Sequence, residues 1–171
     1  MKICVIGYSG SGKSTLARKL SEQYGIEALH MDTVQFLPGW EVREAKDKER
    51  IVGEFLDTHD SWVIDGNYKK LSFFRRTEEA DRIILLLFGR FSCLLRVIRR
   101  YRKFRNRTRP DMAEGCNEKL DAEFIKWVLW KGRTKKTREL FESVVKMYPG
   151  KSTVIRNQKQ LDVFYEKLKG E

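Results

Sequence analysis

"VIGYSGSGKSTLARKL", residues 5–20, sets a glycine-rich loop between an apolar run and a segment with helical spacing. Gly7, Gly12, Lys13 and Ser14 hold the fixed positions of the pattern G-x-x-x-x-G-K-[ST], and Gly10 adds a third glycine. Glycine accepts positive φ and carries no Cβ, so successive backbone N–H groups can turn inward around an anion. The flanks suit that use. Ile3, Cys4, Val5 and Ile6 form a continuous apolar run of the kind buried in a parallel sheet, and Leu16, Leu20 and Tyr24 recur every four residues after the loop. A phosphate loop leaves a buried strand and opens a helix whose N-terminal dipole faces the phosphate. The stretch predicts Gly7, Ser9, Gly10, Ser11 and Gly12 around the phosphates, with Lys13 at the β- and γ-phosphates, Ser14 on Mg²⁺ and Thr15 at the α-phosphate. The expected cofactors are ATP and Mg²⁺.

Outward from the loop, strands and helices alternate. Glu27 to Met31 reads as a second strand, followed by a loop at Pro38-Gly39-Trp40 and a helix with apolar Ile51, Val52, Phe55 and Leu56. "SWVIDGN" (61–67) reads as a strand ending in a turn, and "DRIILLLF" (81–88) as a fourth strand. A helix from near Arg90 carries Leu94, Leu95, Val97 and Ile98, until "RNRTRPDMAEGC" (105–116) breaks the period and predicts a mobile, lid-like segment at about 101–117. One long helical stretch from about Glu118 to Val145, the strand "STVIR" (152–156) and a last helix through Leu161, Phe164 and Leu168 complete the pattern. Alternation of this kind predicts an α/β fold, with a parallel sheet covered by helices on both faces and ligands at the carboxyl ends of its strands.

The 171 residues fit a single domain. The longest purely apolar run, Ile83 to Phe88, is too short to span a bilayer, and Met1-Lys2-Ile3 enters a strand without the apolar region of a signal peptide. A cytoplasmic protein with no membrane partner is expected. Cys4, Cys93 and Cys116 are odd in number and form no C-x-x-C pair, so neither a disulfide framework nor a zinc site is indicated. The net charge of +11 would ordinarily point to nucleic acid. It is concentrated, however: Arg90 to Arg109 holds nine basic residues and no acid.

Two strands end in an aspartate, "ALHMD" at Asp32 and "WVID" at Asp65, where a carboxylate could serve the metal or the acceptor; either could instead cap the turn that follows. Arg96 and Arg100 share one helical face, and Arg107 and Arg109 lie in the breaking segment beyond. Guanidinium groups from a closing loop neutralise phosphoryl oxygens and exclude water, although a run of basic residues also makes a solvated face. His30 and His59 receive no role. The spacing of Phe124, Trp127 and Val128 predicts a core-facing stripe, while Trp40 reads as a pocket wall.

These motifs together resemble the adenylate kinase and shikimate kinase group of P-loop kinases. More narrowly, "LHMDTVQFLPGW", "WVIDGNY", "ADRIILLL", "LLRVIRR" and "RPDMAEGC" look like the DNA topology modulation, or FlaR-related, proteins. The resemblance implies a P-loop NTPase fold, a five-stranded parallel sheet in the order 2-3-1-4-5, an ATP site at the loop and a lid. It also maps the arginine pair before the lid to Arg96 and Arg100, and places Asp32 on the acceptor side. In that strand order Asp65 lies next to the loop strand, toward Mg²⁺. Where adenylate kinase follows its Asp-Gly with a hydrophobic residue, Pro and Arg, this chain has Asn67 and Tyr68, which counts against AMP as acceptor. The expected function is a kinase acting on a nucleotide or another small phosphate acceptor. The alternative is a nucleotide-binding regulator of DNA topology that holds nucleic acid through its basic segment, for which the chain offers no helix-turn-helix or RNP pattern.

Lys13→Ala is expected to keep the fold and lose most nucleotide binding or turnover, since an ammonium at the β/γ-phosphates is outside the core. Circular dichroism and ATP titration check both halves, and unchanged ATP affinity and hydrolysis would sink the phosphate-loop reading.

Overall fold

The computed structural model describes residues 1–170. Its sheet has five parallel strands in the order β2-β3-β1-β4-β5, formed by β1 (Lys2–Gly7), β2 (Glu27–His30), β3 (Trp62–Asp65), β4 (Arg82–Leu86) and β5 (Ser152–Ile155). Both faces of a parallel sheet are covered by its crossover helices, which is why β1 and β4 read as unbroken apolar runs. Successive side chains of β1 point to opposite faces. Cys4 and Ile6 pack into a core with residues of α2 (Met31–Gln35), α3 (Ala45–Thr58), α4 (Phe73–Glu79) and α7 (Lys135–Met147). Ile3 and Val5 pack with α1 (Lys13–Tyr24), α5 (Arg90–Phe104), α6 (Ala122–Leu129) and α8 (Gln158–Leu168). Trp62 is fully buried, as its place at the head of a strand predicts. Cys4, Cys93 and Cys116 are free and buried, and burial pushes the Cys4 thiol up to about 11. Among the described residues, no helix is long and apolar enough to cross a membrane.

Three features depart from the sequence expectations. The second strand stops at His30, and Met31 begins α2; Thr33 donates its hydroxyl to the His30 carbonyl at 2.7 Å, so Asp32 stands on a helical turn instead of at a strand end. The long helical stretch is two helices at an angle set by the turn Lys131–Arg133. Asp121 caps α6 and Thr134 caps α7 through their side chains, and the two helices serve opposite faces of the sheet, Val128 of α6 packing with Ile3 and Val5 and Phe141 of α7 with Cys4 and Ile6. α4 had no counterpart in the sequence reading, because seven residues are too few to establish a period.

α4 carries Arg76, whose side chain is fully buried and, among the described residues, paired with no carboxylate. Its guanidinium donates to the carbonyls of Leu71 (3.1 Å), Gly66 (3.2 Å) and Tyr68 (3.2 Å), and burial pushes its pKa down. Three carbonyls gathered on one rigid fork fix the shape of the loop after β3.

Gly7 closes β1 at φ +142°, and a Cβ there would lie 2.2 Å from the Leu86 carbonyl oxygen. Gly7→Ala is therefore expected to cost about 3 kcal/mol or more, from backbone strain plus a clash with a central strand. Gly25→Ala, also at positive φ (+62°) but with nothing within 4 Å, should cost only about 1–2 kcal/mol. Urea denaturation of the two variants measures the difference.

Candidate active site

Strand register brings the site together. β1 pairs with β3 so that Val5 is opposite Asp65, and β2 pairs with β3 so that His30 is opposite Asp65. The first turn of α1 then faces the end of β3. Ser14 donates its hydroxyl to Asp65 Oδ2 at 2.7 Å, while His30 Nδ1 lies 2.7 Å from Asp65 Oδ1, so both oxygens of this buried carboxylate are engaged. Burial opposes protonation of His30, but the hydrogen bond and charge of Asp65 outweigh it and raise its pKa.

Beside this pair the glycine loop is clamped from β3. Asn67 accepts from the Gly7 N–H at 3.0 Å and donates to the Gly7 carbonyl at 2.6 Å. Gly10 lies so close to α5 that a Cβ would fall 2.6 Å from Val97 Cγ2 and 2.8 Å from the Cys93 carbonyl. Lys13 Nζ donates to the Tyr8 carbonyl across the loop at 3.2 Å. Burial lowers its pKa, against the charges of Asp65 and Asp32. Ser11 Oγ is buried with no hydrogen-bond partner among the described residues, and Thr15 is exposed in the first turn of α1. Asp32 accepts from the Tyr68 hydroxyl at 2.7 Å, and the phenol's pKa is pushed up by burial first and by Asp32 second.

A phosphate group fits this cradle. The loop is bare of side chains at Gly7, Gly10 and Gly12, Lys13 supplies a cation, and Ser11 has an unused hydroxyl. Among the described residues, no cluster of three His, Cys, Asp or Glu side chains stands ready for a metal ion. Mg²⁺ asks for less: one or two protein oxygens, with water and phosphate oxygens completing its octahedron. Ser14 and Asp65 provide that donor set at one end of the cradle.

The expected arginines divide into two groups. Arg96 lies against the loop, its guanidinium 4.2 Å from the Phe88 ring centroid and bonded to Gln158, with Nη1 3.4 Å from where a Cβ on Gly12 would be. Arg100 and Arg109 are turned inward. Arg100 donates to Glu118 Oε1 at 2.7 Å through Nε, with Nη2 at 2.6 Å from the same oxygen. Arg109 Nε lies 2.7 Å from Glu118 Oε2, a close ion pair off the hydrogen-bond direction, and Arg109 Nη1 donates to Asp111 at 2.8 Å. Burial and the neighbouring Arg109 push the Arg100 pKa down, and Glu118 partly restores it. Only Arg107 of the pair expected in the lid is exposed. The irregular segment starts after α5 ends at Phe104, and its Cys116 and Asn117 reach the loop before α3. Trp40 donates its N–H to Cys116 Sγ (3.3 Å) and its indole N–H to the Asn117 carbonyl (3.1 Å).

Sequence reasoning passed over several of these residues. Asn67, Tyr68, His30 and Glu118 carry no local sequence signal, because their partners Gly7, Asp32, Asp65 and Arg100 lie on other elements. Trp127 is a correction. Helical spacing put it in the core, but it is 47% exposed and donates its indole N–H to Ser9 Oγ in the loop at 3.0 Å, because α6 ends early and turns this face toward the loop.

No family model matches the chain, and no curated protein matches it in sequence. Solved structures do match in fold. Shikimate kinase from Acinetobacter baumannii, in complex with shikimate, aligns over 98% of this chain and 90% of its own, with 16% identity and a TM-score of 0.57. The protein TT1252 from Thermus thermophilus aligns over 99% and 95%, at 14% identity and TM-score 0.56. An uncharacterized protein from Eubacterium ventriosum aligns over the whole of both chains, at 16% identity and TM-score 0.53. The class that architecture and topology define is an α/β fold, a five-stranded parallel sheet in the order β2-β3-β1-β4-β5 with helices on both faces, a fold this chain shares with that shikimate kinase.

Asn67→Ala removes both bonds to Gly7 and leaves the buried Gly7 N–H without that acceptor. A loss of about 1–3 kcal/mol in unfolding free energy is expected. Asn67→Asp, which keeps the acceptor and forfeits the donor, should fall between the two in denaturant titration.

Proposed function

We propose that the chain is an ATP-dependent, Mg²⁺-requiring P-loop kinase that phosphorylates a small acceptor, a nucleotide or another hydroxyl-bearing metabolite, in the cytoplasm. The single observation that carries this reading is the 2.7 Å bond from Ser14 to Asp65 at the foot of a bare glycine cradle. It joins the hydroxyl that a phosphate loop offers to Mg²⁺ with a strand-end carboxylate one strand away. Kinship in fold to a shikimate kinase supports a kinase in kind, and the acceptor is this reading's own inference.

In this reading the backbone amides of Gly7 to Gly12 and the Lys13 ammonium hold the phosphates, Thr15 reaches the α-phosphate, and Ser14 and Asp65 hold Mg²⁺. Bound there, Mg²⁺ would offset the negative charge of the phosphate chain. Asp32 orients the acceptor hydroxyl and takes its proton as the oxygen–phosphorus bond forms and the bond to the departing ADP breaks. Tyr68 holds one Asp32 oxygen and leaves the other for the acceptor. Arg96 flanks the loop. Arg107 and Arg109 belong to the lid and Arg100 precedes it on α5; Arg100 and Arg109 must exchange Glu118 and Asp111 for phosphoryl oxygens when the lid closes.

A second reading has its own observation. Arg99, Arg102, Lys103, Arg105 and Arg107 are exposed together at the end of α5 and beyond, a surface that could meet nucleic acid and that accords with the sequence likeness to DNA topology modulation proteins. A phosphate-transfer screen with ATP against nucleoside monophosphates, nucleosides and small hydroxylated metabolites tests the kinase. Duplex DNA binding that falls steeply with log salt, without transfer to any acceptor, would favour the regulator.

The two aspartates separate the metal and acceptor sides. Asp65→Asn should weaken the apparent Mg²⁺ affinity in nucleotide titrations at several Mg²⁺ concentrations, by about tenfold. Asp32→Asn should keep ATP and Mg²⁺ affinity within a few-fold while abolishing transfer. Swapped phenotypes would overturn the assignment of the two sides.

A further inference from the structure

Trp127 spends its indole N–H in an unexpected place. At 47% exposure it could satisfy that group with water, yet it donates to the Ser9 hydroxyl at the tip of the phosphate loop, 118 residues away in sequence. The corner that follows α6 packs against the indole and adds a second contact with the loop. Gly132 passes so close to the indole that a Cβ would lie 3.0 Å from Trp127 Nε1. Arg133 sets its guanidinium 3.9 Å from the centroid of the Tyr8 ring, with donors bonded to the Val128 and Phe88 carbonyls and to Cys93 Sγ. Tyr8 and Ser9 are thus held from one side by α6 and its corner.

A hydroxyl has one proton and two lone pairs. Trp127 fills a lone pair of Ser9, and among the described residues no hydrogen bond takes up the Ser9 proton, which is left to point away from the indole. In the proposed reading the phosphate chain runs from Thr15 at the helix, past Lys13, toward the loop tip. The tip therefore meets its terminal group.

We propose that Ser9, oriented by Trp127, donates a hydrogen bond to the terminal phosphoryl group of the bound nucleotide, so that this pair of side chains makes the site prefer a triphosphate over a diphosphate. Ser9 touches the nucleotide. Trp127 is a positioning residue that acts only through Ser9. The inference rests on the nucleotide reading of the loop.

The test is titration calorimetry of the full chain with Mg-ADP and with a non-hydrolysable Mg-ATP analogue, for the wild type, Ser9→Ala, Trp127→Phe, the double variant and Lys13→Ala. Ser9→Ala should weaken the analogue about tenfold, the scale of a hydrogen bond to a charged group, and leave ADP within twofold. Trp127→Phe keeps a ring of similar shape and loses the donor, and should weaken the analogue by a smaller factor, again sparing ADP. The double variant should match Ser9→Ala, since Trp127 has nothing to orient once the hydroxyl is gone. ADP binding serves in each variant as the control for an intact loop. Equal loss of ADP and analogue in Ser9→Ala, an unchanged analogue affinity in Trp127→Phe, or losses that multiply in the double variant would each overturn the inference. A wild type that binds neither nucleotide, or a Lys13→Ala variant that binds both as well as the wild type, overturns the nucleotide reading and this inference with it, and is recognised by that pattern.

Discussion

Gly7 rests its α-carbon against the carbonyl of Leu86, in a space that no side chain could enter. This close approach of two central strands sets where the loop leaves the sheet, and the other parts of the site are arranged around that exit. Asn67 grips both the N–H and the carbonyl of Gly7 from the end of β3, which ties the loop to the strand that carries Asp65. Arg76 holds the segment bearing Asn67 and Tyr68 by three carbonyls, so a buried guanidinium on the seven-residue helix α4 supports the loop at one remove. A chain of contacts therefore runs from α4 through the loop after β3 to the phosphate cradle. Each link is a hydrogen bond to backbone, which specifies shape more narrowly than apolar packing does.

Charge is distributed differently in space than in sequence. Along the chain, Arg90 to Arg109 is a block of uncompensated positive charge. In the fold, Glu118 from beyond the break and Asp111 from within it neutralise Arg100 and Arg109 at distances below 3 Å, with Glu118 almost wholly buried. A carboxylate removed from water is stable only when paired, and two arginines supply that pairing. The result is an irregular segment after α5 held by these ion pairs and joined through Cys116 and Asn117 to the Trp40 loop. The exposed remainder of the basic block, from Arg99 to Arg107, forms a surface distinct from the cradle.

The two carboxylates near the loop differ in what holds them. Asp65 is buried and has both oxygens engaged, by Ser14 and His30, whereas Asp32 is partly exposed on a helical turn and receives the Tyr68 hydroxyl on one oxygen. A fixed carboxylate suits a metal's rigid octahedron, and one with an oxygen to spare suits proton transfer to an incoming hydroxyl. The division of labour proposed for them follows from those environments and from the places of β2, which Asp32 follows, and β3, which Asp65 ends.

The sequence by itself determined the glycine-rich loop between β1 and α1, the alternation of strand and helix, and the identity of Asp65 as the carboxylate that ends β3. These are local matters: a glycine pattern dictated by backbone geometry, and apolar periods read within a dozen residues. Tertiary structure alone decided the rest. That Asp32 lies on a helix depends on the turn Thr33 stabilises at His30, and that Trp127 meets the loop depends on α6 ending at Leu129. The partners of Gly7, Ser9, Arg100 and Arg109 lie up to 118 residues along the chain or beyond a break in periodicity, where no local pattern can register them. Amphipathic spacing says which residues leave water. Which of them meet is settled when the helices dock on the sheet, because side-chain contact depends on the position of whole elements and not on the period within any one of them.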